Sequence, residues 1–139
     1  MALERTLTII KPDAVAAGNS GHIIAHLEGE GFKILAMKKI TLTRAQAQAF
    51  YAVHSQRPFF DSLVDFMTSG PIIPMVLERD NAVAGLREVM GATNPEHAEE
   101  GTVRKLYATN IERNAIHGSD APETAAVERA FFFSGLEQG

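Results

Sequence analysis

The amino-acid sequence predicts a sandwich of the α+β or α/β kind, in which one domain spanning residues 1–139 lays helices on a sheet. Three observations lead there. Short β-rich runs alternate with segments of helical period, and the helical segments begin at capping or proline signals. A chain of 139 residues, 45% hydrophobic and 22% charged, also suits one core and is too short for two ordinary ones.

Thr6-Leu7-Thr8-Ile9-Ile10 opens with polar–apolar alternation and reads as a first strand, with Lys11-Pro12-Asp13 at its end. Asn19-Ser20 is placed to cap a helix carrying Ile23, Ile24 and Leu27 on one face and stopped by Gly31. Phe32 to Leu42 is again β-branched and apolar, a second strand. Thr43-Arg44-Ala45-Gln46 has capping-box form, because the Thr oxygen and the Gln side chain can each satisfy an exposed backbone N–H. The helix it opens carries Ala47, Phe50, Tyr51 and His54. Pro58 suits the first turn of another, with Phe59, Leu63, Phe66 and Met67 available for contacts.

Gly70-Pro71 marks a turn, and Ile72 to Leu77 reads as a third strand. Pro74 fits there only at a strand start or a bulge, since proline cannot donate to a sheet ladder. Asp80 or Asn81 is expected to cap a helix through Met90 that turns Val83, Leu86 and Met90 inward, with Arg87 near its end. Gly91 to Asn114 lacks periodicity, and a loop so long inside a compact domain is usually functional. Asp120-Ala-Pro-Glu123 resembles a cap before a helix to about Phe132, with Ala126, Val127 and Ala130 available to pack.

Composition narrows the partners. Thirteen Lys and Arg against seventeen Asp and Glu leave a net charge of -4, so no global field favours nucleic acid or an anionic membrane. A polyanionic ligand would need a local cluster of cations. The absence of cysteine excludes disulfides, thiol catalysis and thiolate metal sites, and it fits a reducing compartment. The N-terminal residues show no leader pattern and no apolar run approaches the roughly 20 residues of a membrane span, so a cytoplasmic setting is expected.

The densest polar cluster is Asn114-Ala115-Ile116-His117-Gly118-Ser119-Asp120. A neutral imidazole offers one unprotonated nitrogen near pH 7 and can act as a nucleophile. Gly118 leaves room for an incoming group, while Ser119, Asp120 and Glu128 lie within reach to orient neighbours. The same residues also suit a histidine merely hydrogen-bonded in a turn before a capped helix. Lys11, Arg87 and Arg104, the last near Thr102, are candidate phosphate donors, although each alone also suits a surface salt bridge. His22 and His26 have the i, i+4 spacing of metal ligands without a third ligand. Phe59 can offer a ring face to a base or fill core, and Tyr51 has the same two readings. No GxxxxGK[ST] or GxGxxG loop is present, which argues against P-loop and Rossmann sites.

The run from Asn114 to Asp120 resembles the NxxHGSD signature of the nucleoside diphosphate kinase family. Glu4-Arg5-Thr6, Lys11-Pro12-Asp13, Arg57-Pro58-Phe59-Phe60, Thr68-Ser69-Gly70-Pro71 and Gly91-Ala92-Thr93-Asn94-Pro95 resemble further family blocks, in the same order and over almost the whole chain. This resemblance implies a ferredoxin-like α+β sandwich, with a four-stranded antiparallel sheet and helices packed on it. It implies Mg²⁺-dependent phosphate exchange from nucleoside triphosphates, chiefly ATP, to nucleoside diphosphates, the metal being held mainly by the nucleotide phosphates. His117 resembles the phosphorylated nucleophile, acting through Nδ1. Lys11, Arg87, Thr93, Arg104 and Asn114 resemble phosphate and ribose ligands, and Phe59 the ring against which the base stacks. Tyr51, Ser119 and Glu128 resemble supporting residues around the histidine. A homo-oligomer is implied, tetramer or hexamer, and only six residues follow Phe133 to make C-terminal contacts.

Two other classes make distinct predictions. A non-catalytic ferredoxin-like module would bind nucleotide without turnover and would tolerate loss of the His117 imidazole. A metal hydrolase would depend on His22 and His26 instead.

Overall fold

The computed structural model describes residues 3–138; Met1 and Ala2, on which the expectation of no leader pattern partly falls, lie outside them. Four strands, β1 (Leu3–Ile10), β2 (Lys33–Met37), β3 (Ile73–Asp80) and β4 (Ile116–Gly118), form one antiparallel sheet in the order β2-β3-β1-β4. The helices are α1 (Pro12–Ala16), α2 (Ser20–Gly29), α3 (Arg44–Phe50), α4 (Phe60–Met67), α5 (Ala82–Met90), α6 (Val103–Tyr107) and α7 (Pro122–Phe132). The architecture is the ferredoxin-like α+β sandwich.

Both faces of the sheet are covered, and strand periodicity assigns residues to each. On one face Ile10, Ile73, Met75 and Leu77 join Ile23 and Leu27 of α2 with Leu86 and Met90 of α5. On the other, Leu7, Ile9 and Val76 pack with Ala47 of α3, Val64 and Met67 of α4, and Phe132 of α7. A continuous apolar run such as Ile9-Ile10 is what a strand buried on both sides requires.

Most element expectations hold, and the departures have local causes. The capping box forms: Gln46 N–H donates to Thr43 Oγ1 at 3.1 Å and Thr43 N–H to Gln46 Oε1 at 2.9 Å. The second strand ends at Met37, after a register shift between Ile34 and Ala36, and only an isolated Ile40–Ile72 bridge continues the pairing. Pro74 is the second residue of β3. Its carbonyl accepts from Lys38 N–H at 3.2 Å, so its missing donor faces that flank, beyond the last paired residue of β2.

Asn81 is the N-cap of α5 in a left-handed conformation (φ 55°), yet its side chain caps nothing. Glu4 Oε1 in β1 takes the role instead, accepting Val83 N–H at 2.9 Å. The stretch from Gly91 to Asn114 is not a bare loop, since it contains a 3₁₀ turn at Pro95–His97 and helix α6, capped by Thr102. Ala121, not Asp120, is the N-cap of α7, and Thr124 Oγ1 accepts its N–H at 3.1 Å. The packing face of α7 also differs from the expected one: Ala126, Val127 and Ala130 are exposed, whereas Ala125 and Phe132 are buried.

Candidate active site

Antiparallel pairing of β4 with β1 places His117 opposite Ile9. Side-chain alternation then sets Ile9, Lys11 and His117 on the sheet face covered by α3 and α7. From α7, Glu128 Oε1 lies 2.8 Å from His117 Nε2 and also accepts Ser119 Oγ–H at 2.7 Å. A carboxylate oxygen here can only accept, so Nε2 is the donor, and in the neutral ring that tautomer leaves the lone pair on Nδ1. The imidazole is partly open, with 21% of its side chain exposed. Phe50 meets the ring edge-on at 5.6 Å between centroids, and Tyr51 does so at 6.5 Å. Phe50 is a neighbour that sequence reasoning placed only as a helix contact.

Tyr51 is buried and its hydroxyl has no hydrogen-bond partner. Burial, reinforced by the Glu128 charge, pushes its phenol well above the ordinary range. It therefore stays a neutral donor beside the histidine.

The three cations singled out in the sequence converge on the segment 114–118 that contains β4. Arg104 on α6 is buried and donates to three carbonyls: Ile116 at 2.8 Å, Gly91 at 3.1 Å and Asn114 at 3.4 Å. Arg87 on α5 is exposed and reaches the Gly118 carbonyl at 3.4 Å. Lys11 is buried, and its Nζ donates to Asn114 Oδ1 at 2.8 Å. No carboxylate pairs with any of the three in an ion pair among the described residues. The consequence is electrostatic: burial, aided by the Arg104 charge, pulls the Lys11 ammonium down to about 8. Burial and the Arg87 charge pull Arg104 down to about 10. Fixed, desolvated positive charge of this kind suits a multiply charged anion.

Asn114 is buried and ties the cluster together, since one of its amide hydrogens also goes to the Thr93 carbonyl at 3.3 Å. Thr93 itself is exposed, in an open recess of about 570 Å³ that Arg87, Gly91 and Thr102 also line. Phe59 is the N-cap of α4 and 47% exposed, its ring 5.5 Å from that of His54. Three residues on, Ser62 bonds Glu112 at 2.6 Å, which joins this helix to the segment leading into Asn114.

Gly118 departs from its expected role. A Cβ there would lie 2.6 Å from Met90 Sδ and 3.0 Å from Leu86 Cδ2. The missing side chain lets β4 approach α5 and does not clear space for a ligand. His22, by contrast, stacks on Tyr107 at 6.3 Å and lies apart from this cluster on the α2 side.

A ferredoxin-like sheet carrying an oriented imidazole beside unpaired cations defines a phosphotransferase-like site. Known proteins agree closely. Residues 4–138 match the family model described as nucleoside diphosphate kinase. The nucleoside diphosphate kinase of Persephonella marina is 61% identical over 137 residues, covering 99% of this chain and 98% of that protein. That of Xanthobacter autotrophicus shows the same identity and coverage. Among solved structures, the Aquifex aeolicus nucleoside diphosphate kinase superposes with TM-score 0.97 at 45% identity, over 99% of this chain and 100% of that one. The halophilic nucleoside diphosphate kinase from Halobacterium salinarum, in complex with CDP, gives TM-score 0.95 at 39% identity, over 99% of this chain and 92% of that one. The chain belongs to the nucleoside diphosphate kinase family, and it is a phosphotransferase.

Proposed function

We propose that this chain moves the terminal phosphate of a nucleoside triphosphate, chiefly ATP, to a nucleoside diphosphate through a phosphohistidine at His117. The observation that carries this is the hydrogen bond of Glu128 to Nε2, which leaves Nδ1 as the nucleophilic nitrogen. In the first half-reaction the Nδ1–phosphorus bond forms while the bond from phosphorus to the diphosphate oxygen breaks, and that oxygen leaves with the electron pair. In the second, a terminal oxygen of another diphosphate attacks phosphorus, the Nδ1–phosphorus bond breaks, and the neutral ring returns. Glu128 offsets the positive charge that the phosphorylated ring acquires.

Phosphoryl transfer needs mainly alignment and charge stabilisation. Lys11, Arg87 and Arg104 are assigned to the phosphates, Asn114 and Thr93 to phosphate and ribose, and the exposed Phe59 ring to the base. Stacking without base-edge hydrogen bonds would admit any base, since each has a π-face. Tyr51 and Ser119 support the histidine, the first by its free hydroxyl and the second by sharing Glu128. Mg²⁺ is taken to arrive with the nucleotide, where it offsets phosphate charge. Glu128 is engaged by His117 and Ser119, Asp13 by the Ala115 N–H and Asp120 by the Thr124 hydroxyl, and phosphate oxygens are the proposed donors. No group of three or more His, Asp or Glu among the described residues is arranged to hold a metal ion. A cytoplasmic homo-oligomer, tetramer or hexamer, completes this reading.

Incubation with γ-labelled ATP should leave an acid-labile, alkali-stable phosphate on the protein, transferable to dTDP. His117→Ala should abolish both the adduct and the transfer. Full transfer by that variant would remove the proposed nucleophile.

A further inference from the structure

We propose that Asp13 is a positioning residue of this site: it holds Ala115 in a left-handed turn and thereby sets Asn114 and His117 against Lys11. Ala115 is fully buried and has φ 72°, a region that costs an L-residue with a Cβ. The N–H of Ile116 reaches back to the Asn114 carbonyl at 2.8 Å, closing a three-residue turn of the rare positive-φ kind around Ala115. Such a turn persists only if its surroundings over-determine it.

They do so from one short segment. Lys11 N–H donates to the Ala115 carbonyl at 2.9 Å, and Ala115 N–H donates to Asp13 Oδ2 at 3.1 Å. Both backbone polar groups of Ala115 are therefore held by residues two positions apart, at the end of β1 and the start of α1. Among the described residues this is the only hydrogen bond the Asp13 side chain makes, and its Oδ1 is buried without a partner. A charge-assisted bond of this type is strong enough to offset the left-handed conformation. On one side of the clamped residue stands Asn114, the acceptor for Lys11 Nζ; two residues along on the other stands His117. Releasing Ala115 would let both swing relative to the lysine.

The inference rests on His117 being the phosphate carrier, and the test separates the two. Single-turnover phosphorylation by saturating ATP and ATP affinity would be measured well below the unfolding temperature. The proteins compared are the wild type, Asp13→Ala, Asp13→Asn, and Asp13→Ala combined with Ala115→Gly. Asp13→Ala should slow phosphorylation on the order of 10²-fold, the scale of a misplacement of about 1 Å. Its affinity should fall much less, because Lys11, Arg87 and Arg104 remain. Asp13→Asn keeps an acceptor oxygen and should recover most of the rate. Ala115→Gly should do likewise without any acceptor, because glycine adopts positive φ freely. A wild-type rate in folded Asp13→Ala would overturn the proposal. So would a folded double variant that does not regain rate. If the wild type forms no adduct, the proposed function fails instead. Asp13 is then judged by amide exchange at Ala115, where equal protection in wild type and Asp13→Ala would overturn the clamp.

Discussion

Lys11 is charged and buried, and two measurable quantities depend on that in opposite directions. In the unfolded chain its proton is held up to the ordinary value of 10.5, whereas in the folded chain it leaves at about 8. Between those values the unfolded state binds more protons, so this group makes the fold more stable as pH rises through that window. Nucleotide binding should go the other way, because a neutral amine offers phosphate no point charge. We expect kcat/KM to fall above pH 8 while the ligand-free unfolding midpoint gains a positive slope with pH. Lys11→Met should flatten that slope, as followed by chemical denaturation from pH 7 to 10. The groups acting on Lys11 are Arg104, Asp13 and Glu112, so the same titration in Glu112→Gln checks a weaker contribution. A second residue-scale outcome concerns the ring: Glu128→Gln no longer dictates which nitrogen carries the proton. Phosphorylation of His117 should slow by roughly 10²-fold or more, read in a single turnover. His117 was legible in the sequence because polar side chains crowd the run from Asn114 to Asp120. Glu128 was also within expected reach of the ring, and the structure adds which nitrogen it meets and that Ser119 shares the same carboxylate oxygen.

At the scale of elements, two contacts fix α5, the helix bearing Arg87, and neither comes from its own sequence. Gly118 lets β4 approach it closely, so Gly118→Ala must displace Met90 Sδ, 2.6 Å from the new methyl, and crowd Leu86. Overpacking of this kind typically costs about 1–3 kcal/mol, visible in thermal unfolding. The wild-type midpoint in Gly118→Ala would show that the gap is not tight. Glu4 caps the same helix from β1, and Glu4→Ala should cost about 1 kcal/mol, the usual size of a lost cap. Here the limits of sequence reading are physical. The Thr43 capping box was legible because both partners lie within four residues. The cap of α5 comes from a residue 79 positions away, which no local pattern can indicate. Helix α6 has five residues, too few for a period to show. On α7 the inward line runs through Thr124, Ala125, Glu128 and Phe132, where site chemistry interrupts the apolar stripe. The small apolar residues therefore pointed to the wrong face.

For the whole molecule, sheet order was the least legible property, since periodicity shows that a strand is buried but not which strand it joins. The β2-β3-β1-β4 order has one consequence for function: it sets the end of β1 beside β4 and lets α5 and α6 close on the same strand. Lys11, Arg87 and Arg104, spread over more than ninety residues, thus form a positive cluster in a chain whose net charge is -4. Burial first, and mutual repulsion second, disfavour the charged forms of Lys11 and Arg104. A polyanion bound to the folded state alone should therefore stabilise the whole fold, by about 2.7 kcal/mol at a hundredfold excess over Kd. For a chain of this size that is a rise of several degrees in Tm. Inorganic pyrophosphate isolates this effect from base and ribose. In Arg87→Ala the ligand-free Tm should change little, because Arg87 is exposed and makes one long bond, but the pyrophosphate shift should shrink. An equal shift in the two proteins would place Arg87 outside the phosphate site and leave Lys11 and Arg104 to hold the anion.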